Sequence, residues 1–293
     1  MRLINSVCSG MMFPESRKNL DAFRRTADFL AERGAECMEF YYDGPASDRF
    51  GDALAANGLD AVYVAVIPSK EQKLWLCDLD EDGRRAALDM YKRCVDHAMG
   101  NGVTQIMISS GALGGDVDRQ LDALAASVTE LYEYANGKDS SARLLMEPCD
   151  DNMQAYHLLG PYDRVRGFTR RVNEAGCPME LTMDCAHSAE VGEDFAQAVR
   201  ETKPWCRHVH FANCNISQPD NPLYGDKHVG FEYPDTEWTP RTLEALFRTL
   251  EEIYPGDDEL RIGIEILCRE DDPYAYFDKT WAMLPFLHKE NRK

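Results

Sequence analysis

The chain has 293 residues, 44% of them hydrophobic, and a formal net charge of −19. That length suffices for one large α/β domain, and the acidity excludes non-specific binding to nucleic acid or to an anionic membrane, both of which need a basic surface. No apolar run reaches the roughly eighteen residues of a membrane span, and Met1 to Phe13 is too short and too interrupted for a signal peptide, so the expectation is a cytoplasmic protein.

In chain order, eight short apolar runs predict strands at Arg2–Cys8, Glu36–Tyr41, Ala61–Ile67, Gln105–Ser109, Arg143–Glu147, Glu180–Asp184, Arg207–Phe211 and Arg261–Ile266. Between them the apolar spacing turns helical. Asn19–Arg33 places Leu20, Phe23, Ala27 and Leu30 on one face, with Gly34 as a stop. Asp48–Asn57, Gly83–Asn101, Arg119–Asn136, Pro161–Ala175 and Glu193–Thr202 continue the alternation. Thr239–Tyr254 is strongly amphipathic through Leu243, Leu246, Phe247, Leu250 and Ile253, and Asp272–Leu287 ends the series. Strand and helix thus alternate about eight times. That predicts a parallel sheet with crossover helices, closed as a single (β/α)8 TIM barrel over residues 1–293. An open doubly wound sheet lacks support, since no GxGxxG follows a strand. The ten cysteines show no CxxC or zinc-knuckle spacing and read as reduced, mostly buried thiols.

The chemistry concentrates at the strand ends. Glu147, Asp184, His210 and Glu265 each sit at or near the end of a different predicted strand, the fifth to the eighth. In a barrel those ends converge on one mouth. Three carboxylates and one imidazole form a divalent-metal ligand set, and its oxygen-rich character favours Mn²⁺, with Mg²⁺ or Co²⁺ as alternatives, over a thiolate-type zinc site. Two local patterns extend it. In Asp184-Cys185-Ala186-His187 the turn after the strand brings His187 over the mouth, toward substrate. In His208-Val209-His210 the period of two puts both rings on one face, with His210 nearer the mouth. Glu39 and Ser109-Ser110-Gly111 point to the same mouth, and the segment after strand seven carries an adjacent Lys227-His228 pair that can reach substrate.

These residues resemble the xylose-isomerase-like TIM-barrel superfamily: Glu-Pro after strand five, Asp-x-x-His after strand six, His-x-His in strand seven and Glu in strand eight. The resemblance covers essentially the whole chain. It implies that Glu147, Asp184, His210 and Glu265 are metal ligands and that His187 contacts substrate. It also implies that the two glutamates exchange protons with a sugar from opposite faces. The expected activity is a metal-dependent isomerase or epimerase that removes a proton next to a carbonyl, with Glu147, Glu265 and His187 as catalytic residues and His187, Lys227, His228 and Glu39 around the substrate.

The chain departs from the resembling sugar 3-epimerases at Ile216, where those enzymes usually carry an arginine. Its decorated strand-seven loop is similar to the catalytic subunits of C-glycoside deglycosidases. These implied alternatives are a carbon–carbon or carbon–oxygen lyase of 3-oxo-glucosides with a small β-rich partner subunit, a related dehydratase, and a barrel without activity. The resemblance also implies a homo- or hetero-oligomer. No Gly-rich anion nest follows strand seven, which favours an unphosphorylated substrate.

Overall fold

The structure, a computed structural model, describes residues 1–289. Its strands are β1 (Arg2–Cys8), β2 (Cys37–Phe40), β3 (Asp60–Val64), β4 (Gln105–Ser109), β5 (Arg143–Glu147), β6 (Met179–Asp184), β7 (Cys206–Phe211) and β8 (Glu259–Ile264). All pair in parallel, in sequence order, and β8 returns to β1 with Val7 opposite Ile264, so the sheet is a closed barrel. The expected (β/α)8 architecture is what the chain adopts. No helix of the described residues is long and apolar enough to cross a membrane.

The outer helices form where the apolar stripes and caps agree. Helix Leu20–Glu32 starts at Asn19, whose side chain accepts the N–H groups of Asp21 and Ala22. Its Phe23, Ala27 and Leu30 are buried against the barrel. Helix Pro240–Ile253 begins with a reciprocal cap between Thr239 and Thr242 and buries Leu243, Leu246, Phe247, Leu250 and Ile253. Each such side chain contributes roughly 1.5–3 kcal/mol of burial.

Differences from the sequence reading cluster at strand ends. The third strand stops at Val64, and the apolar run Val66-Ile67 opens a helix instead, Val66–Gln72. Two other short helices, Ser9–Met12 and Cys185–Glu190, follow β1 and β6 directly. The final helix ends at Ala282, and a short 3-10 turn at Pro285–Leu287 follows it. Proline lacks the N–H that would continue the helical ladder.

Register fixes the layers that matter. Asp184 lies opposite His210, and His210 opposite Gly263. Ser109 lies opposite Glu147. Glu147, Asp184 and His210 thus lie at or near the C-terminal ends of their strands, with Glu265 one residue beyond β8. At the other rim Arg261 is buried, with Nη1 donating to Gln105 at 2.8 Å and Nη2 to Asp60 at 2.5 Å.

Candidate functional site

His210 is the hub of the C-terminal rim. Its Nδ1 lies 2.7 Å from Glu265 Oε2, 3.1 Å from Glu147 Oε1 and 3.7 Å from Asp184 Oδ2. These same four atoms are buried and have no hydrogen-bond partner. Short separations without hydrogen-bonding geometry mark groups that face a common point and do not bond to one another. A cation with bonds near ~2.1 Å holds its ligand atoms about 3 Å apart, the spacing seen here.

The remaining atoms of each group are fixed from behind. Asp184 caps helix Cys185–Glu190: its Oδ1 accepts the N–H of Ala186 at 2.6 Å and of His187 at 3.0 Å, which leaves Oδ2 for the centre. Glu39 anchors the histidines. It accepts Ser6 Oγ at 2.6 Å and His208 Nε2 at 2.9 Å on Oε1, and His210 Nε2 at 2.9 Å on Oε2. Burial opposes its charge, yet His208 and His210 hold the Glu39 carboxyl well below the usual range. An ionised carboxylate only accepts, so His210 donates through Nε2 and turns Nδ1 toward the three carboxylates. A carboxylate behind an imidazole in this way is the common support of a metal-binding histidine.

Glu39 was expected to contact substrate. In the structure it borders the cavity but is fully buried, with both oxygens engaged by Ser6, His208 and His210, so it fixes the two imidazoles. His208 is neutral, lowered to about 4 chiefly by burial.

The electrostatics call for positive charge at the centre. Burial, with the charge of Glu265, raises the Asp184 carboxyl to about 7. Against burial, Cys8, Glu265 and Glu39 push the His210 imidazole well above its ordinary value. A chain that gathers three buried carboxylates around a tautomer-locked ring must neutralise them with protons or with a cation. The donor set fits a divalent ion.

Two further histidines flank the centre, each backed by an acid. His187 Nδ1 lies 3.0 Å from Glu190 Oε2. His228 Nδ1 lies 2.7 Å from Asp226 Oδ1, and its Nε2 is 3.4 Å from Glu265 Oε2. The two rings meet edge to face at 5.5 Å. His228 adopts a left-handed backbone, φ 45°, a conformation that costs a non-glycine residue about 1 kcal/mol or more and recurs at functional sites. All of these open onto one cavity of about 330 Å³, whose lining includes Glu147, His187, His210, Lys227, His228 and Glu265.

Of the residues singled out in the sequence, Glu147, His187, His210, Lys227, His228 and Glu265 line this cavity, and Asp184 Oδ2 lies 3.7 Å from His210 Nδ1. Ser109 and Ser110 are buried: Ser109 Oγ meets the Tyr91 hydroxyl at 3.4 Å, and Ser110 Oγ accepts the N–H of Leu159 at 3.0 Å. Trp238 donates its indole N–H to the Cys185 carbonyl at 3.1 Å and presents no face to the cavity. Missed were Glu190, legible three residues after His187 once that stretch is seen as helix, and Lys70, hidden in a helix whose start read as strand. Cys8 was read as a buried thiol, yet it also lies 3.7 Å from His210 Nε2.

Residues 27–256 match the family described as Xylose isomerase-like TIM barrel. The chain belongs to that family. Strands β1 and β8 lie outside the matched stretch and complete the family's barrel by pairing with each other. Among solved structures, this family member is similar to a D-tagatose 3-epimerase-like protein, at 16% identity over 100% of both chains and a TM-score of 0.70. It is similar to the 3-keto-D-glucoside 4-epimerase of E. coli, at 17% identity over 98% of both chains and a TM-score of 0.65. It is also similar to the IolI protein with a binding zinc atom, at 12% identity over 100% of both chains and a TM-score of 0.70. At these identities the likeness shows the fold. No curated protein sequence matches the chain.

Proposed function

We propose that the chain is a divalent-metal-dependent isomerase or epimerase that exchanges a proton next to a carbonyl of a sugar or oxo-sugar. The observation that carries this is the convergence of four buried, unpartnered atoms, Glu147 Oε1, Asp184 Oδ2, His210 Nδ1 and Glu265 Oε2, on one point at the floor of a cavity. Glu147, Asp184, His210 and Glu265 would hold the ion. Bound there, a divalent ion supplies Lewis-acid stabilisation of negative charge on a substrate oxygen. Mn²⁺ suits the oxygen-rich set, with Mg²⁺ and Co²⁺ as alternatives. The zinc in the IolI structure and the epimerase names of other structural neighbours support the reading.

The chain's own residues supply the proton handling. Glu147 and Glu265 come from β5 and from the residue after β8, so they approach a substrate in the cavity from different sides. One removes the proton and the other returns it. Against burial, His210 and His228 keep Glu265 well below the usual carboxylate range, which holds it in the base form. His187, oriented by Glu190, faces the cavity and positions a substrate hydroxyl.

Solvent deuterium exchange tests this. Mn²⁺-loaded protein is incubated in D₂O with ketoses and 3-oxo-glucosides, C-linked ones included, and followed by NMR. Deuterium in a recovered or epimerised sugar is the expected result, and Glu265→Gln lowers its rate by about 10²-fold or more. Release of a free aglycone moves the outcome to a lyase, which begins with the same proton loss. Unchanged exchange in the Glu265→Gln protein contradicts the assignment.

A further inference from the structure

The cavity's floor is acidic, but its wall is not. The lining includes Arg17, Lys70, Lys227 and Arg269, in a chain of net charge −19. The two arginines are engaged. Arg17 Nη2 is 2.9 Å from Glu71, and Arg269 Nη2 donates to the Lys227 carbonyl at 3.1 Å, bracing the loop that carries this lysine. The two lysines differ: among the described residues their ammonium groups make no hydrogen bond and no ion pair.

Lys70 is solvent-accessible by area, yet protein surrounds it on nearly every side, as expected of a side chain reaching into a cleft. Val66 and Ile67, its helix neighbours on the lining, are apolar, and the charged groups around it are the buried Cys149 thiol, Asp226, Glu147 and Glu265. Against burial, the charge of the Cys149 thiol, followed by Asp226, Glu147 and Glu265, raises the Lys70 ammonium group above its ordinary value, so it borders the cavity as a cation. The nearby acids are already committed. Glu147, Asp184 and Glu265 face the floor's centre, and Asp226 pairs with His228 at 2.7 Å. Lys70 follows β3 and Lys227 follows β7, on opposite sides of an eight-stranded barrel, so the two straddle whatever fills the space between them. A volume of about 330 Å³ lies at the small end of ligand pockets, the size for one monosaccharide unit.

We propose that the substrate carries an anionic group, a carboxylate or a phosphate, held by Lys70 and Lys227 while its carbonyl lies over the acid–histidine floor. This rests on the reading of that floor as the reacting centre. No glycine-rich nest announces it in the sequence, because the two lysines come from a short helix and a loop more than a hundred and fifty residues apart.

Calorimetric binding to the Mn²⁺-loaded protein tests it, with D-glucuronate against D-glucose and fructose 6-phosphate against D-fructose. At least one anion is expected to bind about tenfold tighter than its neutral counterpart, equal to about 1.4 kcal/mol. The advantage shrinks with added NaCl. Lys70→Met and Lys227→Met each reduce it, whereas Lys70→Arg and Lys227→Arg retain it. A preference for glucuronate assigns a carboxylate, and a preference for fructose 6-phosphate assigns a phosphate. Equal affinity for charged and neutral sugars, or no binding of either anion, overturns the proposal. Mn²⁺ uptake, measured separately on every variant, reports on folding and on the floor. A loaded protein indifferent to ligand charge fails only the lysine assignment, whereas a protein that takes up no Mn²⁺ fails at the floor and takes this inference with it.

Discussion

Both rims of the barrel bury charge, and they treat it in opposite ways. At the N-terminal rim Arg261 meets Asp60 and Gln105, and Gln105 in turn donates to Asp60 at 2.9 Å. There each charge has an opposite partner. At the C-terminal rim three carboxylates crowd around a single ring nitrogen, and the four facing atoms have no hydrogen-bond partner. Burying polar groups without compensation costs several kcal/mol in total, so the second arrangement has to be neutralised by protons or by a cation. The paired cluster is complete within the chain, and on the reading proposed above the unpaired one receives an ion.

The largest effect on this contrast is expected from Gly263→Ala. An added Cβ would stand 2.4 Å from Glu39 Oε1 and 2.9 Å from His210 Cδ2. Glu39 is pinned by Ser6, His208 and His210 and cannot yield. The variant should lose about 1–3 kcal/mol in denaturant unfolding and most of its Mn²⁺ affinity. Next comes Glu39→Gln, which keeps the shape but releases the His210 tautomer. Titration should show Mn²⁺ affinity falling about 10–100-fold with the fold intact, and unchanged affinity would refute the role given to Glu39.

A pH series sharpens the comparison further. Asp184 rises from 3.8 to about 7 in the folded chain, through burial and the charge of Glu265. Between those values the metal-free native state binds a proton that the unfolded chain does not. Its stability therefore falls as pH rises from about 4 to about 7. Bound Mn²⁺ offsets that loss, so the rise in Tm on adding Mn²⁺ should grow with pH through the same window. A rise independent of pH would count against three ionised carboxylates at the centre. The smallest effect belongs to the other rim. Arg261→Met should cost about 1–2 kcal/mol, because Asp60 is half exposed and keeps much of its hydration. Mn²⁺ binding should not change, and a loss of binding there would erase the distinction between the rims.

Much of this site was legible in the sequence because strand ends are. The runs closing on Glu147 and Asp184 terminate where the strands terminate, and the period-two spacing of His208 and His210 put both rings on one face. Glu265 lies one residue beyond the end of β8, still within reach of the centre. What escaped were the short helices that begin immediately after β1, β3 and β6. Ala65-Val66-Ile67 continues an apolar run, and periodicity over three residues cannot separate strand from helix. That ambiguity hid Lys70. The bonds of Glu39 were hidden for another reason: a carboxylate at a strand end can face the mouth or turn to its neighbours, and only the cross-barrel distance to His208 and His210 shows that it bonds to both.

The central claim is that the four unpartnered atoms at the C-terminal rim hold one divalent ion. Mn²⁺ titration of chelator-treated protein, read by EPR of the free ion, tests it most directly. The account predicts one tight site per chain, lost in Asp184→Asn and retained in Asp60→Asn. No tight site, or a site indifferent to Asp184→Asn, would contradict it.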